Sequence, residues 1–321
     1  MATVDIFNGD ADGICALTQL RNADPRDSRL VTGVKRDIAL VEKAGIQSGD
    51  DVVILDISME KNIEGLRAAL ANGASCFYVD HHFAGDIPEH TGLEAIINTA
   101  PDVCTSILVN NYLQGAYLAW GVVGAFGDNL KASANTLARP LGLSAAELTQ
   151  LENLGIYINY NGYGSNLDDL HFAPAELYKL VSPHANPFDF IKGDSDSFNK
   201  LEQGYKTDMA NASALKPQLL DDIAGVYLLP DEPWARRVSG VYSNDLANNA
   251  PDRAHAVLTE KANGNYLISV RAPLNNKTGA DDVCRQFPTG GGRKAAAGVN
   301  DLPAEQLPVF IDTFRAYYAK L

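Results

Sequence analysis

Cysteine, positive charge and long apolar runs are all scarce in this 321-residue chain, and each scarcity removes a class of explanation. The four cysteines, Cys15, Cys76, Cys104 and Cys284, stand far apart, with no CxxC pair and no zinc-like spacing. Neither a disulfide framework nor a thiolate metal site is expected, and the thiols read as reduced and buried. No apolar run approaches the roughly 18–20 residues that span a bilayer, so no membrane partner is expected. The opening "MATVDIFNGD" has no basic leader, so a signal peptide is not expected and the expected location is cytoplasmic. Lys and Arg number 26 against 40 Asp and Glu, a net charge of −14, which weighs against long duplex nucleic acid as a partner. Internal repeats and low-complexity tracts are absent as well.

What is present is a chain that is 46% hydrophobic and long enough for two ordinary domains. Buried-strand patterns lie at "TVDIF" (3–7), "LVTGV" (30–34), "DVVILDI" (51–57) and "SCFYVD" (75–80), with amphipathic stretches between them. One of these, "EKNIEGLRAALANG" (60–73), ends on a glycine suited to a helix C-terminus. Strand and helix alternating at this spacing predict an α/β fold, a doubly wound and mainly parallel sheet. A short strand "EAIIN" and helices near 103–114 and 116–126 follow. Residues 133–180 read as mainly helical, interrupted by "NYNGYGSNLDDLHF" (159–172), whose Asn, Gly and Asp content predicts a surface loop. The Pro-, Asp- and Ser-rich stretch from 182 predicts a connection between domains. Beyond it, "RAHAVLTEKANGNYLISVRAP" predicts a β-hairpin around Asn-Gly, followed by a helix, a glycine-rich loop and a final helix. The expected organisation is a first domain over 1–185, a linker over 186–225 and a smaller α/β domain over 226–321. Residues 1–234 hold 15 basic against 32 acidic residues, and residues 235–321 hold 11 against 8. One part is thus suited to cations, the other to anions.

Acidic and imidazole side chains recur where the strands end. Asp10 and Asp12 follow the first, Asp56 ends the third, and Asp80, His81 and His82 end the fourth; Asp128 follows a helix in "GAFGDN". Taken singly, an Asp after a strand is ordinarily an N-cap or turn residue. In an open α/β sheet, however, ligands bind at the carboxyl ends of the strands. Clustered carboxylates raise one another's pKa unless a cation compensates them. Two divalent cations sharing a carboxylate would do so. Oxygen and imidazole donors without thiolate favour Mn²⁺, with Mg²⁺ the alternative, and a pair of such ions is a standard device for hydrolysing phosphate esters.

"NGDADG", "VILDIS", "DHH" and "GAFGDN", in this order, resemble the motifs of the DHH phosphoesterase superfamily. "ISVRAP" (268–273) and "TGGGRKAAAG" (289–298) resemble its DHH-associated substrate-binding domain. The resemblance implies an active-site cleft between two domains and a hydrolase of ester bonds, a phosphodiesterase or phosphomonoesterase. Its substrates would be nucleotides or short oligonucleotides, as for nano-RNases (short-oligoribonucleotide nucleases) and pAp phosphatases. It implies that Asp10 and Asp56 hold a first metal, and that Asp12, Asp56, His81 and Asp128 hold a second. His82 would face the substrate, with Asp80 supporting it. "CTSIL" makes Thr105 and Ser106 candidate phosphate contacts, their other reading being helix N-cap hydroxyls. Two departures stand out. Asn8 occupies a position where many members carry a metal ligand, and Arg293 stands where a His usually follows the three glycines.

Gly290, Gly291 and Gly292 let a backbone approach an anion closely, and Arg293 and Lys294 follow at once. With Arg271 on a neighbouring candidate strand, they form the candidate substrate-binding group. Arg293 offers a bidentate phosphate contact that keeps its charge at any physiological pH. The limited positive charge suits a small nucleotide or short oligonucleotide as partner. The alternative is a catalytically weakened nucleotide-binding sensor of the same fold, a reading that Asn8 favours.

Overall fold

The computed structural model describes residues 2–321, and the chain divides into two compact units, Met1–Gln203 and Gly204–Leu321. The first is built on strands β1 (Thr3–Phe7), β2 (Arg29–Val31), β3 (Asp51–Leu55), β4 (Ser75–Asp80) and β5 (Leu93–Ile97). They pair in the order β2-β1-β3-β4-β5, all parallel. This is the α/β sheet expected, with "LVTGV" pairing over fewer residues than its apolar pattern spans. Val, Ile and Leu make up four of the five residues of β3, as both faces of a parallel sheet are covered. Val4, Ile6, Val52, Ile54 and Tyr78 pack in a fully buried cluster with Leu66 and Leu70 of α2 (Met59–Ala71).

The register decides the function of this sheet. Phe7 pairs with Leu55, and Leu55 with Val79, so the carboxyl ends of β1, β3 and β4 are level and adjacent. The three motifs that follow them therefore leave the sheet side by side. From β1 the chain enters α1 (Ala11–Ala23), which is buried from Ala11 to Arg21. A buried ion pair fixes it to its own strand: Arg21 Nε donates to Asp5 Oδ2 at 2.9 Å. Around α1 stand α3 (Thr105–Tyr112), α4 (Leu118–Gly127), α6 (Ala145–Gly162) and α7 (Pro174–Val181), with α5 (Lys131–Ala138) packed on α4. The stretch 187–213 is helical: α8 (Pro187–Gly193) and α9 (Ser195–Ser213), within which the division between units falls.

The stretch 159–172 is a surface loop, as its composition predicts, only from 163 on, where residues 165–168 are exposed. Residues 159–162 form the last turn of α6, and Asn159, Tyr160 and Asn161 are buried. The polar side chains are consumed internally: Asn161 accepts from the backbone N–H of His171 and Phe172 and donates to the Phe172 carbonyl. Tyr157 and Tyr160 are packed against Phe198 and His171.

The second unit has strands β6 (Leu219–Leu220), β7 (Ala224–Leu229), β8 (Ala254–Glu260), β9 (Tyr266–Arg271), β10 (Gly290–Gly292) and β11 (Ala296–Leu302). Their order is β10-β11-β9-β8-β7-β6, antiparallel except for β7 and β8, which α10 (Pro233–Asn249) joins. α11 (Ala280–Cys284) and α12 (Leu307–Tyr318) complete it, Phe310 and Phe314 packing on Val226, Leu258, Ile268 and Val270. The β8–β9 hairpin turns at Asn263-Gly264 as expected, with Gly264 at φ 81°. The glycine-rich segment is an edge strand rather than a loop: Gly290–Gly292 pair with Ala297–Val299, and the chain turns back through Arg293 and Lys294. Every cysteine is a buried free thiol.

Candidate metal centre

Asp10 is the N-cap of α1, its Oδ1 accepting from the backbone N–H of Asp12 (3.0 Å) and Gly13 (3.1 Å). Asp12, in the first turn of the same helix, reaches across to a second helix start. Its Oδ2 accepts from Thr105 N and its Oδ1 from Ser106 N, both at 2.7 Å. α3 has no side-chain cap of its own, so the Asp12 carboxylate satisfies its first amides. Two helix N-termini thus converge on the Asp10–Asp12 turn, and their partial positive charge favours carboxylates there.

Asp56 follows β3 with φ 59°, a left-handed backbone that side chains other than glycine adopt at a cost. This directs its carboxylate into the cluster, where Oδ1 accepts from Thr105 Oγ1 at 3.1 Å. Asp128 caps the C-terminus of α4, whose "GVVGAFG" places Gly121, Gly124 and Gly127 on one face. A Cβ on Gly124 would stand 2.2 Å from Ser106 Oγ, and one on Gly127 2.3 Å from Ala11 Cβ. The glycines bring α4 close enough to α1 and α3 for Asp128 to join the other carboxylates.

His81 lies at the focus. Its Nδ1 is 3.0 Å from the Val103 carbonyl oxygen, which can only accept, so Nδ1 carries a proton and Nε2 is the ring nitrogen turned to the carboxylates. That Nε2 is 3.5 Å from Asp56 Oδ1 and 3.9 Å from both Asp12 Oδ2 and Asp128 Oδ2. Three carboxylates gathered around one ring nitrogen repel one another unless positive charge stands among them. Donors about 2.1 Å from a shared divalent ion stand about 3 Å apart when adjacent and about 4 Å when opposite, and these distances lie in that range. Ligand atoms of Asp56, His81 and His82 also lie within 4.8 Å of one another. The residues present fit a Mn²⁺ or Mg²⁺ ion held by Asp12, Asp56, His81 and Asp128.

The electrostatics agree. Burial, then the charges of Asp12, Asp10, Asp128 and Asp80, pushes the Asp56 carboxyl well above the usual carboxylate range. Burial raises Asp128 too, against the pull of His81 and Lys35. Asp10 goes the other way. Burial alone would raise it, but the Lys35 ammonium, ion-paired with its Oδ2, and the Gly13 amide hold it below its ordinary value.

His82 stands beside this centre, its side chain 36% exposed and its Nδ1 2.7 Å from Oδ1 of the fully buried Asp80. This contact holds the His82 ring in place. Thr105 and Ser106 correct an expectation: both are fully buried, and their hydroxyls serve Asp56 Oδ1 and the Asp12 carbonyl. They hold carboxylates rather than face a phosphate. In the second unit Arg271 is half-buried, its Nε donating to Asn244 Oδ1 at 2.8 Å, and it lies opposite Ala296 in the β9–β11 pairing. Arg293 and Lys294 sit exposed at the tip of the β10–β11 turn. Gly291 has open space where a Cβ would stand, while Gly290 is packed against the Cys284 carbonyl.

Lys35 and Asn159 are the residues of this neighbourhood that sequence reasoning missed. Both join the cluster from distant segments, and neither belongs to a motif. Asn8 Oδ1 is buried and without a hydrogen-bond partner among the described residues.

No family model and no curated protein matches the sequence. Solved structures do resemble it. An exonuclease RecJ bound to manganese superposes with a TM-score of 0.62 at 17% identity, covering 100% of this chain and 91% of that one. RecJ from Thermus thermophilus in complex with Mn²⁺ gives 0.59 at 17% identity, over 100% of this chain and 52% of that one. A pGpG-specific phosphodiesterase, PggH from Vibrio cholerae, gives 0.57 at 12% identity, over 100% of this chain and 99% of that one.

Proposed function

From a chain with the RecJ-like fold of the DHH superfamily, we propose a divalent-cation-dependent hydrolase of phosphate esters in nucleotides or short oligonucleotides. One observation carries this reading: His81, held through Nδ1 by the Val103 carbonyl, turns Nε2 toward Asp12, Asp56 and Asp128. Asp12, Asp56, His81 and Asp128 hold the cation, Mn²⁺ in preference to Mg²⁺. Held there, such an ion would supply Lewis acidity, lowering the pKa of a bound water and offsetting charge on the phosphoryl oxygens.

The remaining steps belong to the protein's own groups. The Asp56 carboxylate is aimed by its left-handed backbone and by the Thr105 hydroxyl. The His82 ring is held by Asp80 through Nδ1, in a position to meet the phosphate or to give a proton to the departing oxygen. Arg271 and Arg293 bind an anionic group of the substrate, the backbone of Gly290–Gly292 being engaged in the β10–β11 pairing. With 11 basic against 8 acidic residues over 235–321, the charge available suits one or a few phosphates. Hydrolysis is therefore expected to slow as the substrate lengthens.

The test is turnover by the metal-stripped full chain, with and without Mn²⁺, beside Asp56→Ala. The substrates are pAp, di- to pentanucleotides, a cyclic dinucleotide, a 20-mer and pyrophosphate. We expect Mn²⁺-dependent cleavage of the short substrates, lost in Asp56→Ala. Equal rates on a dinucleotide and the 20-mer would remove the preference for short chains. Nucleotide binding without turnover on any substrate would establish the second reading, a sensor, which the Lys35–Asp10 ion pair and Asn8 favour.

A further inference from the structure

Four carboxylates meet in this centre, and they are not equally provided with counter-charge. Asp12, Asp56 and Asp128 surround His81 Nε2, and among the described residues no ammonium or guanidinium is ion-paired to them. Asp10 is near enough for its charge to raise the Asp56 carboxyl, but it already has a cation. Its Oδ1 is taken by two backbone amides and its Oδ2 by the Lys35 ammonium.

The seat of that ammonium is built from another element. Lys35 Nζ donates to Asn159 Oδ1 at 2.9 Å and lies 5.3 Å from the centroid of the Tyr163 ring. The Lys35 backbone N–H donates to the Gly162 carbonyl at 2.8 Å. Gly162 is what lets the end of α6 come so near: a Cβ there would stand 3.0 Å from the Gly9 carbonyl oxygen and 3.1 Å from Asp10 Cα. Three residues of one helix end thus hold a lysine against a carboxylate on the far side of the motif turn. On that same turn Asn8, the residue that follows β1, carries an amide and no charge.

We infer that the Lys35 ammonium is a resident cation of this centre, taking the Asp10 side, so that the chain binds one divalent cation rather than two. The inference rests on the metal-binding reading above. An ammonium and a divalent ion sharing Asp10 Oδ2 would repel across one carboxylate, and Asp10 has no other oxygen to spare. The fixed charge on Lys35 lowers the net negative charge of the cluster without a second ion. It also leaves the Asp12–Asp56–His81–Asp128 side free for the first.

The experiment counts ions. The metal-stripped full chain is equilibrated with excess MnCl₂, freed of unbound metal, and assayed for Mn per chain, with electron paramagnetic resonance on the same samples. Wild type is expected to hold one Mn²⁺ per chain, with the spectrum of an isolated ion. Lys35→Arg, which keeps the charge, is expected to match it. Lys35→Met is expected to hold two, with the spectrum of an exchange-coupled pair. Should Lys35→Met fail to fold, Lys35→Gln, which keeps a donor toward Asp10 without the charge, is read in the same way. Two ions in wild type would overturn the inference while leaving the metal-binding reading intact. One ion in the uncharged variants would overturn the role given to Lys35. No bound ion in wild type would defeat the metal-binding reading, and the inference with it.

Discussion

Asp56 is the residue at which folding and chemistry conflict most. Its backbone is left-handed, its side chain is buried, and Asp10, Asp12 and Asp128 surround it. A carboxyl whose pKa is raised on folding binds its proton more tightly in the folded chain. Its ionisation therefore costs stability as pH rises from about 3.8 through the raised folded value. Asn has the same shape and no charge, and its Oδ1 still accepts from Thr105. The metal-free Asp56→Asn chain is thus expected to be more stable than wild type at neutral pH, by about 0.5–2 kcal/mol, while losing Mn²⁺ binding. Melting temperature against pH, without metal, checks this: wild type should fall with rising pH above about 4 more steeply than the variant. A metal-free variant less stable than wild type at pH 7 would mean the carboxylate is already compensated. The candidate ligands were visible in the sequence because strand-ending Asp and His residues carry a pattern. Lys35 and Asn159 were not, because contacts across 25 and 124 residues leave none.

At the scale of elements, α4 shows how glycine spacing sets chemistry. Gly124 permits a contact with Ser106 that a methyl group would block, since its Cβ would lie 2.2 Å from Oγ and 2.5 Å from Cβ. Gly124→Ala must push α4 away from α3, costing about 1–3 kcal/mol of stability and moving Asp128 off the centre. We expect a lowered melting temperature together with weaker Mn²⁺ binding, both measurable by calorimetry. Unchanged metal affinity in a destabilised variant would show that Asp128 is not a ligand. The strands themselves were legible, because unbroken Val, Ile and Leu runs bounded by turns have few other uses. The end of α6 was misread for an equally physical reason. Asn, Gly and Asp mark surface loops only when water is their partner, and here Asn159 and Asn161 find theirs inside the protein. "GGGRK" likewise signals a loop by composition, yet as an edge strand Gly290–Gly292 satisfies its backbone on β11.

Across the whole molecule, the charge division read from the sequence matches the placement of the candidate groups. Every proposed metal ligand lies between residues 10 and 128, within the unit Met1–Gln203, and the candidate anion-binding arginines lie in Gly204–Leu321. A cation that binds only the folded first unit stabilises that unit by mass action, about 2.7 kcal/mol at a hundredfold excess over Kd. Amides that exchange only by global opening of the first unit should then gain protection by a factor of about 100. Hydrogen exchange of the full chain with and without Mn²⁺ reads this segment by segment. Protection is expected to rise in β1, the Asp10–Asp12 turn, β3, β4 and the start of α3, whose first amides rest on Asp12. Residues of β7 to β11 are expected to exchange at the same rate in both conditions, since none of them is a proposed ligand. Equal gains throughout would mean that the two units open together as one cooperative structure, so that a cation held in the first stabilises both.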